Sequence, residues 1–195
     1  MRKFVASALI ALVGTGALAE GSGVADTAGP NLTLEIGGSA SGKVVIDLLP
    51  DVAPKHVARI VQLAKEGAYD DVVFHRVIEG FMAQTGDVQF GKRNGGQLQM
   101  AGVGASDYDD LPAEFSTRSF ERGMVGMARA MDPNSANSQF FIMYEAAPHL
   151  NGQYTIVGHV LEGLEVVDQI KKGPSAMNGV VRDDPDYIVS ATVEE

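Results

Sequence analysis

Short runs of β-branched and aromatic residues, each cut off by glycine, proline, asparagine or aspartate, recur from Leu32 to Val193 and constrain the fold more than any other feature. Residues 32–36 alternate apolar and polar, Gly37-Gly38 turns the chain, and 43–49 is rich in β-branched residues, so the pair is predicted as a hairpin. Further strands are predicted over 72–77, 81–84, 124–128, 138–144, 154–160 and 187–193, with Asp132-Pro133-Asn134 a strong turn signal. Two segments have helical spacing. The first opens at Asp51 and Pro54, lines up Val57, Ile60, Val61 and Ala64, and ends at Gly67; the second covers 164–170. With no internal repeat and no alternation of strands with helices, the pattern predicts a mainly β fold, a closed or nearly closed barrel with helices over its ends. The glycine-rich stretch 91–104 is predicted as a surface loop.

The ends of the chain have a different character. Arg2-Lys3, an apolar stretch from Phe4 to Val13 interrupted by Ser7, and Ala17-Leu18-Ala19 before Glu20 predict a signal peptide over 1–19. An uncleaved anchor fits less well, because the apolar run is shorter than the ~20 residues a spanning helix needs and Gly14 and Gly16 interrupt its end. Residues 20–30 then form a flexible lead-in and 31–195 a single domain, with export to a bacterial periplasm expected. The whole chain of 195 residues carries a formal charge of −10. Without the first nineteen residues, 13 basic and 25 acidic side chains remain, a balance of −12. A nucleic-acid or membrane partner needs clustered Lys/Arg to displace counterions, so neither is expected of the mature chain. Cysteine is absent, which removes disulfides, thiol chemistry and zinc–thiolate sites.

Two stretches carry candidate chemistry. In Phe74-His75-Arg76-Val77-Ile78, strand alternation places Phe74, Arg76 and Ile78 on one face. A guanidinium among apolar groups is costly unless it is paired or used, although a solvent-extended head with a packed stem would also fit. In Asn137-Ser138-Gln139-Phe140-Phe141-Ile142, alternation puts Gln139 and Phe141 on one face and Phe140 and Ile142 on the other. The four histidines, 56, 75, 149 and 159, lack metal-ligand spacing, so no metal is expected. His75 is expected to be a hydrogen-bonded core residue, and Ser138 has no nucleophile-elbow context.

The strings FHRVIEGFMAQTGD (74–87) and SQFFI (138–142), their order and separation, and the segments DPNSANSQFFI and SDYDDLPAEF together resemble the cyclophilin family, in its bacterial branch. The resemblance runs from about Asn31 to the C-terminus. It implies a closed eight-stranded antiparallel barrel with a helix at each end, and a peptidyl-prolyl cis–trans isomerase without cofactor. Its partners would be proline-containing polypeptides, and it would act as a monomer. Carried over by position, Arg76 is the essential arginine, acting with Gln84 and Phe81. Phe81, Met82, Phe141 and Leu150 form the proline pocket and Gln84 and Gln139 its polar rim. Ala128 and Arg129 offer backbone contacts, and His149 and Tyr154 complete the substrate-binding set. Alternation separates Phe81 from Met82 and Gln84, so a bend after Gly80 is required. His149 stands where many members have tryptophan, Tyr154 where they have histidine, and Arg129 where asparagine is usual; the first implies weak cyclosporin binding. The rival reading is a proline-peptide-binding chaperone or scaffold without turnover.

Overall fold

The computed structural model describes residues 25–194; the predicted signal peptide and the start of the lead-in lie outside the described residues. The end of the lead-in is tied down: Thr27 donates to the buried carboxylate of Asp47 from its backbone N–H (3.2 Å) and its hydroxyl (2.8 Å).

Among the described residues, nine strands make one antiparallel sheet: β1 (Asn31–Gly37), β2 (Gly42–Leu48), β3 (Val72–Val73), β4 (Arg76–Ile78), β5 (Met82–Thr85), β6 (Met124–Met127), β7 (Phe140–Met143), β8 (Ile156–Glu162) and β9 (Tyr187–Glu194). Their order is β3-β9-β1-β2-β8-β6-β7-β5-β4. The expected closed eight-stranded barrel is therefore corrected to an open, curled nine-stranded sheet whose end strands, β3 and β4, do not pair. The cause is local. The run 72–77 breaks at Phe74-His75, and these residues bond to an irregular segment instead: Phe74 N–H to the Asp186 carbonyl (2.8 Å) and Val181 N–H to the His75 carbonyl (2.9 Å). One predicted strand thus becomes two short ones, which stand at opposite ends of the sheet order.

The sheet has two apolar faces. Its inner face carries the main core, including Leu34, Ile46, Phe74, Val77, Ala83, Val125, Phe140, Ile142 and Val157. Helix α1 (Pro54–Lys65) buries Val57, Ile60, Leu63 and Ala64 and packs against β9, while α2 (Leu164–Gln169) packs against β2. Pro54 sits at the first helical position, and Gly67, with φ of +67°, stops the helix in a left-handed turn that glycine adopts without a Cβ clash. Asp51 does not cap α1. Glu114, far along the chain, does so, accepting from the N–H of Lys55 (3.1 Å) and of His56 (3.1 Å) and binding His56 Nδ1 at 2.6 Å.

A second cluster lies outside the sheet: Leu49, Met82, Phe120, Phe141, Met143, Ala147, Leu150 and Ile156. Along β7, Phe140 and Ile142 point to the main core and Phe141 to this outer cluster, as alternation predicts. The break at 74–75 defeats the same rule in the other stretch, where Phe74 joins Val77 in the core and Arg76 lies on the opposite face.

Candidate active site

Strand register assembles the site. Arg76 of β4 pairs with Gln84 of β5, which pairs with Phe141 of β7, so three side chains lie abreast on the outer face. Phe81 reaches this row because it belongs to the turn. Gly80 takes φ of +68° and Phe81 N–H donates to the Ile78 carbonyl (3.1 Å), which supplies the bend that strand alternation required.

Arg76, Phe81, Met82, Gln84, Ala128, Arg129, Phe141, Leu150 and Tyr154 line a cavity of about 170 Å³. Its floor is stiffened by aromatic contacts: Phe141 stacks on Phe120 at 5.7 Å and meets Tyr154 edge-on at 5.9 Å. Gly126, opposite Phe141 on β6, makes room for the ring, since a Cβ there would lie 2.5 Å from Phe141 Cζ.

The Arg76 head is held from two sides. Its Nη1 donates to Gln84 Oε1 (3.2 Å) and lies 3.9 Å from the Met82 sulfur, while Nε donates to the Asn178 carbonyl (3.1 Å) and Nη2 to Asn178 Oδ1 (3.1 Å). Partial burial lowers its pKa, but a guanidinium stays protonated throughout the working range of a protein. Among the described residues no carboxylate pairs with it, so neutral acceptors fix its orientation and its charge remains for a ligand. Gln84 Nε2 then donates to Gln139 Oε1 (3.0 Å), and Gln139 Nε2 to the Gly104 carbonyl (2.8 Å).

Two expected residues stand apart from the cavity. Gln139 lines a neighbouring hollow of about 410 Å³ with Gly104, Ala130, Ser135 and Asn137. His149 is exposed and stacks on Phe81 at 5.7 Å from outside. Arg129 does more than offer backbone: its guanidinium lies 4.4 Å over the Tyr154 ring and donates to the Gln153 carbonyl (2.9 Å) and the Ala130 carbonyl (2.9 Å). The Ala128 N–H is taken by the Gln139 carbonyl (2.9 Å). The loop 91–104 is organised by Asp87, a buried carboxylate that accepts from the N–H groups of Gln89, Phe90, Gly102 and Gly104.

His75 is buried as expected; neither ring nitrogen makes a well-formed hydrogen bond, and the polar contacts it has are with the Val73 backbone and the Gln139 side chain. Burial drives its pKa down to about 4, against the pull of the Asp87 carboxylate. Among the described residues, no group of three or more His, Asp or Glu side chains could hold a metal ion. Sequence reasoning missed Asn178. Asn178-Gly179 reads as a turn, but its contact with Arg76 spans 102 positions.

Comparison with known proteins identifies the family. The sequence model described as cyclophilin type peptidyl-prolyl cis-trans isomerase/CLD matches residues 32–193. A probable peptidyl-prolyl cis-trans isomerase of Brucella suis is 60% identical over 154 residues, 78% of each chain. A peptidyl-prolyl cis-trans isomerase of Arabidopsis thaliana is 39% identical over 131 residues, 67% of this chain and 78% of the relative. A Cryptosporidium parvum cyclophilin solved in the presence of the dipeptide Ala-Pro superposes with a TM-score of 0.69 at 25% identity, covering 85% of this chain and 99% of the other. With its outer-face cavity, unneutralised arginine and matching sequence over nearly all described residues, the chain belongs to the cyclophilin-type peptidyl-prolyl cis-trans isomerases.

Proposed function

We propose that this isomerase seats the ring of an Xaa-Pro segment in the cavity of Phe81, Met82, Phe141 and Leu150 and eases rotation with Arg76. The supporting observation is the Arg76 head in the cavity wall, fixed by Gln84 and Asn178 and left without a carboxylate.

Amide resonance sets the barrier, about 18–20 kcal/mol. In the twisted state the imide nitrogen regains a lone pair, and only interactions stronger in that state than in the planar one raise the rate. The Arg76 fork can hold the proline carbonyl and donate toward the pyramidal nitrogen, while the apolar wall excludes water and strengthens the donor's field. Lowering the barrier by about 5–7 kcal/mol raises the rate by four to five decades. Gln84 keeps the fork oriented, and Ala128 and Arg129 frame the peptide beside the Tyr154 ring. That the Cryptosporidium relative was solved in the presence of Ala-Pro supports a proline ligand.

The clients are proline-containing polypeptides met after export, because residues 1–19 have the layout of a secretory signal. His149 offers an imidazole stacked on Phe81 where an indole is common, which supports weak cyclosporin binding.

The test is a proline-peptide isomerisation assay of Arg76→Ala and Arg76→Lys, with N-terminal sequencing of exported protein. Lysine keeps charge but loses the planar fork, so both variants should lose most activity. Full activity in either contradicts the role, and an intact Met1 contradicts cleavage.

A further inference from the structure

Arginine carries five N–H groups on a rigid plane, so a catalytic guanidinium is useful only if the plane is held at one angle. Strand β4 does this poorly by itself. It has three residues and ends the sheet, with β5 on one side and, among the described residues, no strand on the other. On the open side lies the turn at 174–180. Val77 N–H donates to the Gly179 carbonyl (2.7 Å), and a Cβ on Gly179 would come within 2.4 Å of Ile78 Cγ1, so the turn sits directly against β4. Asn178 within it takes φ of +52°, a left-handed conformation that asparagine tolerates better than most residues. In that conformation its carbonyl and its side-chain oxygen both meet one guanidinium, at Nε and Nη2, each at 3.1 Å. With Gln84 on Nη1, three of the five N–H groups are anchored from opposite sides.

We propose that Asn178 is the positioning residue for Arg76 and acts on turnover only through that guanidinium. The inference rests on the reading of Arg76 given above. Asn178→Gly is the informative change, because glycine adopts positive φ freely and keeps the backbone carbonyl while deleting the Nη2 anchor.

The experiment is a double-mutant cycle of Asn178→Gly and Arg76→Ala, with kcat and KM measured separately and the Arg76-deficient proteins assayed at high enzyme concentration. Asn178→Gly should lower kcat by about ten-fold with KM within about two-fold, and should add nothing in the Arg76→Ala background. NMR of the wild-type and Asn178→Gly proteins should show faster rotation of the Arg76 Nη groups in the variant, a change that general loss of stability does not mimic. Loss of activity in Arg76→Ala with unchanged kcat in Asn178→Gly overturns this inference and leaves the functional reading intact. An equal fall in both backgrounds, or an effect confined to KM, also overturns it. Full activity of Arg76→Ala overturns both.

Discussion

Acid should destabilise this fold through His75, and the size of the effect follows from its surroundings. The ring is 4% exposed, makes no well-formed hydrogen bond at either nitrogen, and lies against Gly102, whose added Cβ would sit 3.1 Å from its Cδ2. Burial lowers the folded-state pKa from an ordinary 6.5 to about 4, with the Asp87 carboxylate opposing the shift. As pH falls, the unfolded chain therefore takes up the proton first. The contribution is complete above about pH 6.5 and drains away down to about pH 4, with each pH unit worth about 1.4 kcal/mol, or about 3 kcal/mol in all. His75→Leu removes the group. Urea unfolding of both proteins between about pH 7.5 and about pH 4 should show the wild type losing about 3 kcal/mol relative to the variant. Every other residue is common to both proteins, so its contribution cancels in the difference. A gap that stays constant across the range would refute the reasoning.

Glu114→Ala removes the acceptor for two helix-start N–H groups and for buried His56, and should cost about 2–3 kcal/mol, lowering Tm by about 5–10 °C in a thermal scan. Burial would raise the Glu114 pKa, but bonds from His56 and the helix amides outweigh it and hold it below the ordinary value. The stabilisation is thus present above the ordinary carboxylate range and is lost as pH falls through the depressed pKa. Gly126→Ala drives a methyl to 2.5 Å from Phe141 Cζ and 2.7 Å from Phe120 Cε1, so calorimetry should show a loss of about 1–3 kcal/mol and titration should show weaker proline-peptide binding. Gln84→Ala frees Arg76 Nη1 and unlinks Gln139, and should reduce kcat/KM by about ten-fold in the isomerisation assay.

Much of the local structure was legible because its causes are local. The Gly37-Gly38 turn gave the first hairpin, the stripe from Val57 to Ala64 gave α1, and Pro54 and Gly67 bounded it. The faces of Phe140, Phe141 and Ile142 followed from strand alternation. The motif at 74–87 located Arg76, Phe81, Met82 and Gln84, and the demand for a bend after Gly80 was met by a positive φ at that glycine. The break at Phe74-His75 escaped notice because its residues, β-branched and aromatic neighbours included, suit a strand. What breaks it is competition for their backbone groups from residues 181 and 186.

The sequence by itself determined where most of the strands and both α-helices lie, that the chain carries a cyclophilin signature, and which residues flank Arg76 along β4 and β5. These depend on side-chain periodicity and on neighbours within a few positions. Only the tertiary structure decided that the sheet stays open, that Glu114 caps a helix 58 positions away, that Asn178 grips Arg76 across 102 positions, and that Gln139 faces a second hollow. Such contacts depend on how the whole sheet curls, and a hydrogen bond between distant residues leaves no periodic trace in either partner's surroundings.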